Sequence, residues 1–371
     1  MSKHNLLNKK IKKQILYIND VIESSFNQLK YFKSNYKKIL INKENRVFFG
    51  IALVVILTLS YLLIPTLFNK DNIQSKIKNQ ILKNYNINLK FNQKINYGLV
   101  PKPHFSAKNI SILRDKKEIG IAKNLKVYIG IKELLSIKEL EIKNLVFIKT
   151  DFNIYLDDLK FFENLLRTEP NTNRIIFKKS NIFFKNENEE MLFINKINNG
   201  EFYYDSTNLK NILSSKNEIF NIPFKLKVIN DKFNKEVSTN FNFNKIRLKI
   251  DSKNNYDNDS IKGLLNVLFI NKSTSLNYEI KKDSLTFSSE DNNNSYNGIV
   301  DFKPFYFSAN FNYEGLSAKY LFEENSILNN LINSEILNNK NFSAILNLKV
   351  KNITNINEFN NFLLKISIEE G

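Results

Sequence analysis

Cysteine and tryptophan are absent from this 371-residue chain, and histidine occurs only twice. Without cysteine the chain can form neither a disulfide nor a thiolate metal site. His4 lies near the N-terminus, and His104 lies in a proline-stiffened turn at residues 101–105, where a lone histidine is usually a surface or turn residue. The sequence also lacks a Ser–His–Asp arrangement, a glycine-rich phosphate loop and a His-x-x-x-His pair. We therefore expect no enzymatic activity, no metal and no cofactor.

Long apolar runs are equally scarce, because Lys, Asn or Asp interrupts every apolar stretch but one. The exception is residues 47–68, VFFGIALVVILTLSYLLIPTLF. Its length suits a helix that crosses a hydrocarbon layer of about 30 Å. The core of a cleaved signal peptide is shorter, about 7–15 residues, and leads into small residues at the cleavage site. A buried core helix is the other alternative, and we expect a single transmembrane helix.

The charges that precede this run predict its orientation. Residues 1–46 contain eleven Lys or Arg and three acidic residues, and positive charge beside a membrane span stays in the cytoplasm. We therefore expect a single-pass protein of a bacterial inner membrane, with its N-terminus cytoplasmic and the bulk of its chain periplasmic. The spacing of apolar residues in 5–46 predicts either an amphipathic helix on the inner leaflet or a partly ordered basic tail.

Beyond residue 68 the chain is basic and aromatic. Basic residues exceed acidic ones by ten there, but they are dispersed, which favours solubility and attraction to anionic surfaces over a nucleic-acid groove. The heavy use of Lys, Asn, Ile and Phe is also typical of an AT-rich genome. The whole chain has 31 Phe and 16 Tyr with little helical periodicity, so we expect mainly β structure with a few helices.

Helical spacing is confined to short segments. Ile73, Ile77, Ile81 and Tyr85 form one helical stripe, with Asp71 as the predicted N-cap. Three further helical segments are predicted at residues 131–136, 156–167 and 322–339.

Period-two alternation begins at residue 86 and recurs to the end of the chain. The clearest strand is 140–156, where the apolar residues share one parity and the polar residues the other, with a break predicted near Thr150. Strands separated by short polar turns indicate an antiparallel meander of roughly twenty strands, about 90 Å across. A parity change after Phe243 predicts a β-bulge near Asn244.

Several features from residue 50 onward occur in a characteristic order. The apolar run ends in LIPTLF at 63–68, and after the predicted helix come a short strand at 87–91 and the proline-bearing turn GLVPKP at 98–103. Residues 121–127 (IAKNLKV), the helical segment and the strand from residue 140 follow. In this order the chain resembles the N-terminal region of the AsmA family, which consists of periplasmic proteins anchored in the bacterial inner membrane.

The resemblance covers residues 50–155 and implies a long, strongly curved β-sheet folded into a trough with an apolar lining. Members of the family are implicated in moving phospholipid between the two membranes and in outer-membrane homeostasis. The implied partners are phospholipid acyl chains, the inner membrane and outer-membrane assembly or transport proteins. The residues expected to line the groove are Leu140, Ile142, Val146, Ile148, Phe152, Phe305, Phe307 and Phe311.

The expected organisation has four regions: a cytoplasmic basic tail (1–46), a transmembrane helix (47–68), an AsmA-like periplasmic region (69–155) and a β-rich groove extension (156–371). Residues 368–371 resemble the start of another strand, which predicts a truncated chain or an exposed sheet edge. Strands with one apolar face can line an open groove for lipid tails or pack as a filled sandwich. A filled sandwich suits a membrane-tethered scaffold that assists outer-membrane protein assembly without lipid transfer, and the sequence leaves both alternatives open.

Overall fold

The computed structural model describes residues 23–24, 43–114, 117–132, 134–136, 141–155, 158, 173–186, 188–255, 261–269, 272–281, 284–289, 294–302, 305–322, 326–355 and 360–370. The chain forms two compact units, Met1–Ile64 and Pro65–Gly371.

The first unit contains α1 (Lys43–Leu63). The range Val47–Leu67 is long and apolar enough to cross a membrane, and its most apolar 18-residue window contains no buried residue. Because nearly all leucine, valine and isoleucine side chains of α1 are exposed, α1 is not a buried core helix. The predicted apolar helix is confirmed, whereas its orientation and its membrane stay predictions. The predicted tail, 1–46, lies almost entirely outside the described residues.

The second unit is built around one sheet of 18 strands. The first nine are β1 (Asn88–Phe91), β2 (Asn96–Gly98), β3 (His104–Arg114), β4 (Lys117–Ile129), β5 (Ile142–Tyr155), β6 (Arg174–Lys185), β7 (Met191–Asp205), β8 (Lys210–Ile219) and β9 (Ile222–Asp231). The others are β10 (Glu236–Phe243), β11 (Leu248–Asn255), β12 (Ile261–Phe269), β13 (Lys272–Ile280), β14 (Ser284–Ser289), β15 (Asn294–Phe302), β16 (Phe305–Ser317), β17 (Ser343–Thr354) and β18 (Asn360–Ile368).

The strand order follows the chain. From β3 to β18 each strand pairs with the next, and β1 and β2 both pair with β3. All these pairs are antiparallel except β5–β6 and β16–β17, which are parallel. The sheet is curved and unclosed. The predicted fold class, mainly β with a few helices and one long, curved, antiparallel sheet, is therefore confirmed, except that two strand pairs are parallel.

A short helix, α2 (Lys70–Tyr85), precedes the sheet. Its predicted stripe is confirmed, because Ile73, Ile77, Ile81 and Tyr85 are all buried. The predicted N-cap is wrong: the side chain of Asn69 accepts hydrogen bonds from the backbone N–H groups of the residues two and three positions later, at 2.9 and 3.2 Å. An aspartate in the first turn still favours the positive end of the helix dipole.

The connection between the parallel strands β16 and β17 contains α3 (Ala318–Phe322), α4 (Ile327–Ile332) and a 3-10 turn (Glu335–Asn338). This confirms the helical segment predicted at 322–339. The described residues of 131–136 form bends and turns instead of the predicted helix. The helix predicted at 156–167 lies outside the described residues except for Asp158.

Left-handed residues interrupt three strands at matching positions in the sheet. Asn109 in β3, Lys149 in β5 and Lys179 in β6 have φ values of 51°, 53° and 50°, and the strand register skips all three. The register resumes without a shift after each of them, because the neighbouring strand also leaves a residue unpaired at that point. Each strand therefore contains one extra residue there, and its alternation between the two faces reverses. These unpaired residues therefore form one line across β3 to β6.

The bulge at Lys149 overturns part of the predicted face of β5. Phe147 pairs with Phe177 before the bulge, and Phe152 lies on that same face after it. Val146 and Ile148 lie on the other face. The prediction of a single parity through 140–156 is wrong because one extra residue reverses the alternation, next to the break expected near Thr150.

The parity change near Asn244 has a different cause from the predicted bulge. Asn244–Ile246 form a 3-10 turn, and Arg247 after it is left-handed. The turn joins two separate strands, β10 and β11, and Phe241 lies opposite Ile250 on one face. The predicted bulge is therefore wrong. The sequence did not indicate a turn at this point because the turn contains neither glycine nor proline.

The curvature brings distant strands together. Phe193 in β7 and Phe305 in β16 are nine strands apart, which is roughly 43 Å along a flat sheet. Their ring centroids are nevertheless 5.8 Å apart. The face that carries both rings is therefore the concave face of the sheet.

Glycines on the concave face leave room for rings from the neighbouring strand. A Cβ on Gly298 would lie 2.6 Å from the Phe287 ring and 2.3 Å from the backbone oxygen of Ser308. A Cβ on Gly120 would meet the ring of Phe152 at 2.8 Å. A ring lying over a glycine of the adjacent strand shields backbone that would otherwise be exposed.

We expect Gly298→Ala to lower the free energy of unfolding by about 1–3 kcal/mol, because backbone and a ring must both move to admit the methyl group. The measurement is urea unfolding of the Pro65–Gly371 unit. Gly315→Ala is the matched control, since its Cβ would have no neighbour closer than 3.8 Å, and its effect should stay within about 0.5 kcal/mol. Equal effects of the two substitutions would mean that the Phe287 ring and the Ser308 backbone do not pack closely against Gly298.

A double-mutant cycle tests the curvature. Phe193→Ala and Phe305→Ala should show a coupling energy of about 0.5–1.5 kcal/mol, because their rings are in contact only in the curved sheet. In the control cycle Phe193→Ala is combined with Phe311→Ala, on the same strand as Phe305, and the two effects should add within about 0.5 kcal/mol. Additivity in both cycles would mean that β7 and β16 do not meet in solution.

Candidate functional site

The two faces of the sheet differ in chemistry. Paired residues on neighbouring strands point to the same face, so the pairing register assigns each position. Across β8 to β18, the concave positions among the described residues carry one charged side chain, Lys272. The rest are aliphatic, aromatic or neutral polar residues. The concave face is thus almost free of charge.

The convex face carries cross-strand polar pairs. Asn310 donates to Asn297, and Asn347 donates to Asn310, each at 2.9 Å, which forms an amide ladder over three strands. Lysines and glutamates face each other on other strands, for example Lys196 and Glu218 at 2.9 Å. Exposed pairs of this kind contribute little stability singly. The convex face is therefore mainly polar, with exceptions such as the buried Val146 of β5, whereas the concave face is apolar.

Five of the eight predicted groove residues lie on the concave face. Ile142 and Phe152 are buried there, and Phe305, Phe307 and Phe311 are half-buried there. The sheet does not bring Val146 and Ile148 to them, because these two residues lie on the convex face of β5. Leu140 lies outside the described residues.

Aromatic contacts extend the lining well beyond those residues. Phe224 and Phe243 stack at 4.7 Å, and Phe184 and Phe193 stack at 4.8 Å. Phe147 was missed because the predicted parity placed it on the wet face, yet it stacks on the Phe177 ring at 5.7 Å. The cross-strand register is the signal that assigns such rings to one face, and it requires the pairing of strands to be known.

Helices cover the two ends of the concave face. At the first end, Ile73 of α2 and Phe105 of β3 line one small cavity, and both side chains are buried. At the other end, Leu321 of α3 packs with Tyr313 and Val350 in a buried cluster. Burial raises the pKa of Tyr313, so its hydroxyl stays neutral. These ends are packed core.

The middle of the concave face is less covered. Every residue of β10 is half-buried, including Phe241 and Phe243. The same holds for Phe287 in β14 and Phe307 in β16, whose rings lie 6.4 Å apart. Water therefore reaches two groups of rings on the concave face, Phe241 with Phe243 and Phe287 with Phe307, and the second group borders the buried cluster beneath α3. We call these four rings the aromatic strip, and it is the candidate functional site.

One segment crosses the concave side near this strip. The crossover segment, residues 326–342 between β16 and β17, reaches β7 and the β8–β9 turn. Asn339 donates to the Leu192 carbonyl at 2.7 Å, and the Glu335 N–H donates to the Phe220 carbonyl at 3.1 Å. The Phe342 ring lies 6.2 Å from Phe220. The crossover segment thus joins strands that the meander places far apart.

The described residues show no cluster suited to metal chemistry. They contain no group of three or more His, Asp or Glu side chains that could hold an ion. His104 is buried at the start of β3, where its Nδ1 lies 2.8 Å from the Lys102 carbonyl and its ring packs on Tyr128 at 5.2 Å. These contacts give His104 a role in packing the turn that precedes β3.

Comparison with known proteins identifies no family. No protein-family model matches the chain, and no curated protein matches it. The AsmA resemblance accordingly rests on the order of features in residues 50–155. What the geometry shows is a large open β-sheet with an almost uncharged concave face, in a chain that also contains one apolar helix of membrane-spanning length.

Proposed function

We propose that this is an AsmA-like protein, anchored by α1 in a bacterial inner membrane with its sheet in the periplasm. In this proposal the concave face binds phospholipid acyl chains and passes them between the inner and outer membranes, which supports outer-membrane homeostasis. The observation that carries the proposal is the half-buried aromatic strip on the concave face.

The energetics of the strip favour an amphiphilic ligand. Each Å² of apolar surface removed from water contributes about 25 cal/mol of favourable free energy. For an acyl chain, each buried methylene contributes about 0.8 kcal/mol. Among the described residues of β8–β18, Lys272 is the one charged residue at a concave position. A ligand that binds this face therefore desolvates few charged groups, which would otherwise oppose binding. A headgroup would stay in water at the unclosed side of the sheet. Binding of this kind is passive, so its direction requires a gradient or a partner protein.

The crossover segment favours a second candidate function. It fills part of the concave side and buries contacts among Phe193, Phe220, Phe305 and Phe342. A concave face closed in this way suits a membrane-tethered scaffold that assists the assembly of outer-membrane proteins without carrying lipid. The two candidates differ in whether the strip around Phe241 and Phe287 is occupied by lipid.

Lipid extraction decides between them. The Pro65–Gly371 unit, purified from bacteria, should carry phospholipid that mass spectrometry detects after solvent extraction. Phe287→Asp and Phe307→Asp should each reduce the bound lipid at least about tenfold, because a carboxylate facing an acyl chain is costly to desolvate. Transfer of labelled phospholipid between vesicles should fall in parallel.

Ser288→Asp is the matched control. It follows Phe287 directly and places the same charge on the convex face, where Ser288 is exposed, so it should leave lipid content and transfer unchanged. Circular dichroism and thermal unfolding would establish that all variants are folded. A folded unit that neither carries nor transfers phospholipid would refute the lipid proposal and favour the scaffold.

A further inference from the structure

Two neighbouring hairpin tips present exposed apolar side chains. The β7–β8 tip carries Leu209 and the β9–β10 tip carries Phe233, which are 57% and 87% exposed. The tips lie side by side because β8 pairs with β9, with Lys210 opposite Asp231 at the tip end of the strands. Transfer of so exposed a phenyl ring from water into an apolar environment is favourable by about 1.5–3 kcal/mol. The tips therefore favour an apolar partner.

The two tips are built in the same way. In each, an aspartate that ends one strand accepts hydrogen bonds from an asparagine three residues later. Asn208 Nδ2 donates to Asp205 Oδ2 at 2.8 Å, and Asn234 Nδ2 donates to Asp231 Oδ2 at 2.9 Å. Hydrogen bonds from the backbone and side chain of Asn234 lower the pKa of Asp231 to about 2. The Asp231 carboxylate thus holds Asn234 across the turn, and Phe233 lies exposed between these two residues.

The charge around Phe233 is basic. Lys232 and Lys235 flank the ring within two residues. The two acidic residues of this tip are paired with lysines of neighbouring strands: Asp231 with Lys210 Nζ at 3.1 Å, and Glu236 with Lys253 Nζ at 2.7 Å. An apolar side chain flanked by lysines suits the boundary of a bilayer, where the apolar group enters the acyl region and the ammonium groups meet phosphates. Each lysine near an anionic membrane surface strengthens binding about fivefold.

We propose that these two tips dock on the surface of an anionic phospholipid bilayer, with Phe233 and Leu209 inserted into the interface and Lys232 and Lys235 at the phosphates. Charge complementarity selects the bilayer, and α1 in the same chain is long and apolar enough to hold the protein at a membrane. The proposal goes beyond the function proposed above, since docking needs no lipid on the concave face.

The natural absence of tryptophan provides a clean test. Phe233→Trp introduces a single tryptophan, which can be excited selectively over the 16 tyrosines of the full chain. The full chain would be held in a nanodisc by α1. Vesicles of equal parts phosphatidylcholine and phosphatidylglycerol are then added, with brominated lipid either in the vesicles or in the nanodisc. Emission should shift to the blue and be quenched by brominated lipid in one of the two bilayers, which also identifies whether the tips contact their own membrane or a second one.

Asn188→Trp is the control, because it places the fluorophore on the exposed β6–β7 turn at the other end of the strands, and it should be neither shifted nor quenched. In the Phe233→Trp background, Lys232→Glu with Lys235→Glu should reduce the quenching by whichever bilayer the tips contact, because both charges that attract the phosphates are reversed. Absence of quenching from both bilayers, as expected of tips that bind a protein instead, would overturn the proposal, as would equal quenching of the control. Phe287→Asp should leave the quenching intact, so failure of docking and failure of lipid binding are distinguishable.

Discussion

A single-layered sheet with one apolar face must keep that face away from water without a second layer to cover it. This constraint organises the Pro65–Gly371 unit. The convex side satisfies its polar groups with pairs such as the Asn297–Asn310–Asn347 ladder, so it needs no cover. The concave side is protected by bending, which brings Phe193 and Phe305 into contact across nine strands. Hydrophobic burial is thus achieved between parts of the same sheet.

Bending requires specific local structure. The left-handed residues Asn109, Lys149 and Lys179 interrupt β3, β5 and β6 at matching positions and reverse the alternation of each strand there. Glycines such as Gly298 have no side chain at positions where a ring from the adjacent strand lies. Lysine and asparagine are so frequent in this chain that neither residue marks the position of a bulge in the sequence. The bends are therefore determined by pairing across strands and by burial of the rings.

This explains how much the sequence could predict. Period-two alternation and polar turns were sufficient for the meander, and the stripe from Ile73 to Tyr85 was sufficient for α2, because these signals are local. The errors at Lys149 and Asn244 concern single residues that shift a face or begin a turn without glycine or proline. Contacts of the crossover segment with Leu192 and Phe220 could not be predicted, since they join segments more than a hundred residues apart.

The same reasoning limits what alternation says about function. An open groove and a closed core require identical patterns along each strand, because both place apolar side chains on one face. What separates them is the coverage of that face by other segments. Here α2 and α3 cover the ends, the crossover segment covers the contact between β7 and β16, and the strip around Phe241 and Phe287 remains half-buried. Access to lipid therefore depends on the connections between strands, which are the parts of the chain with the weakest sequence signal.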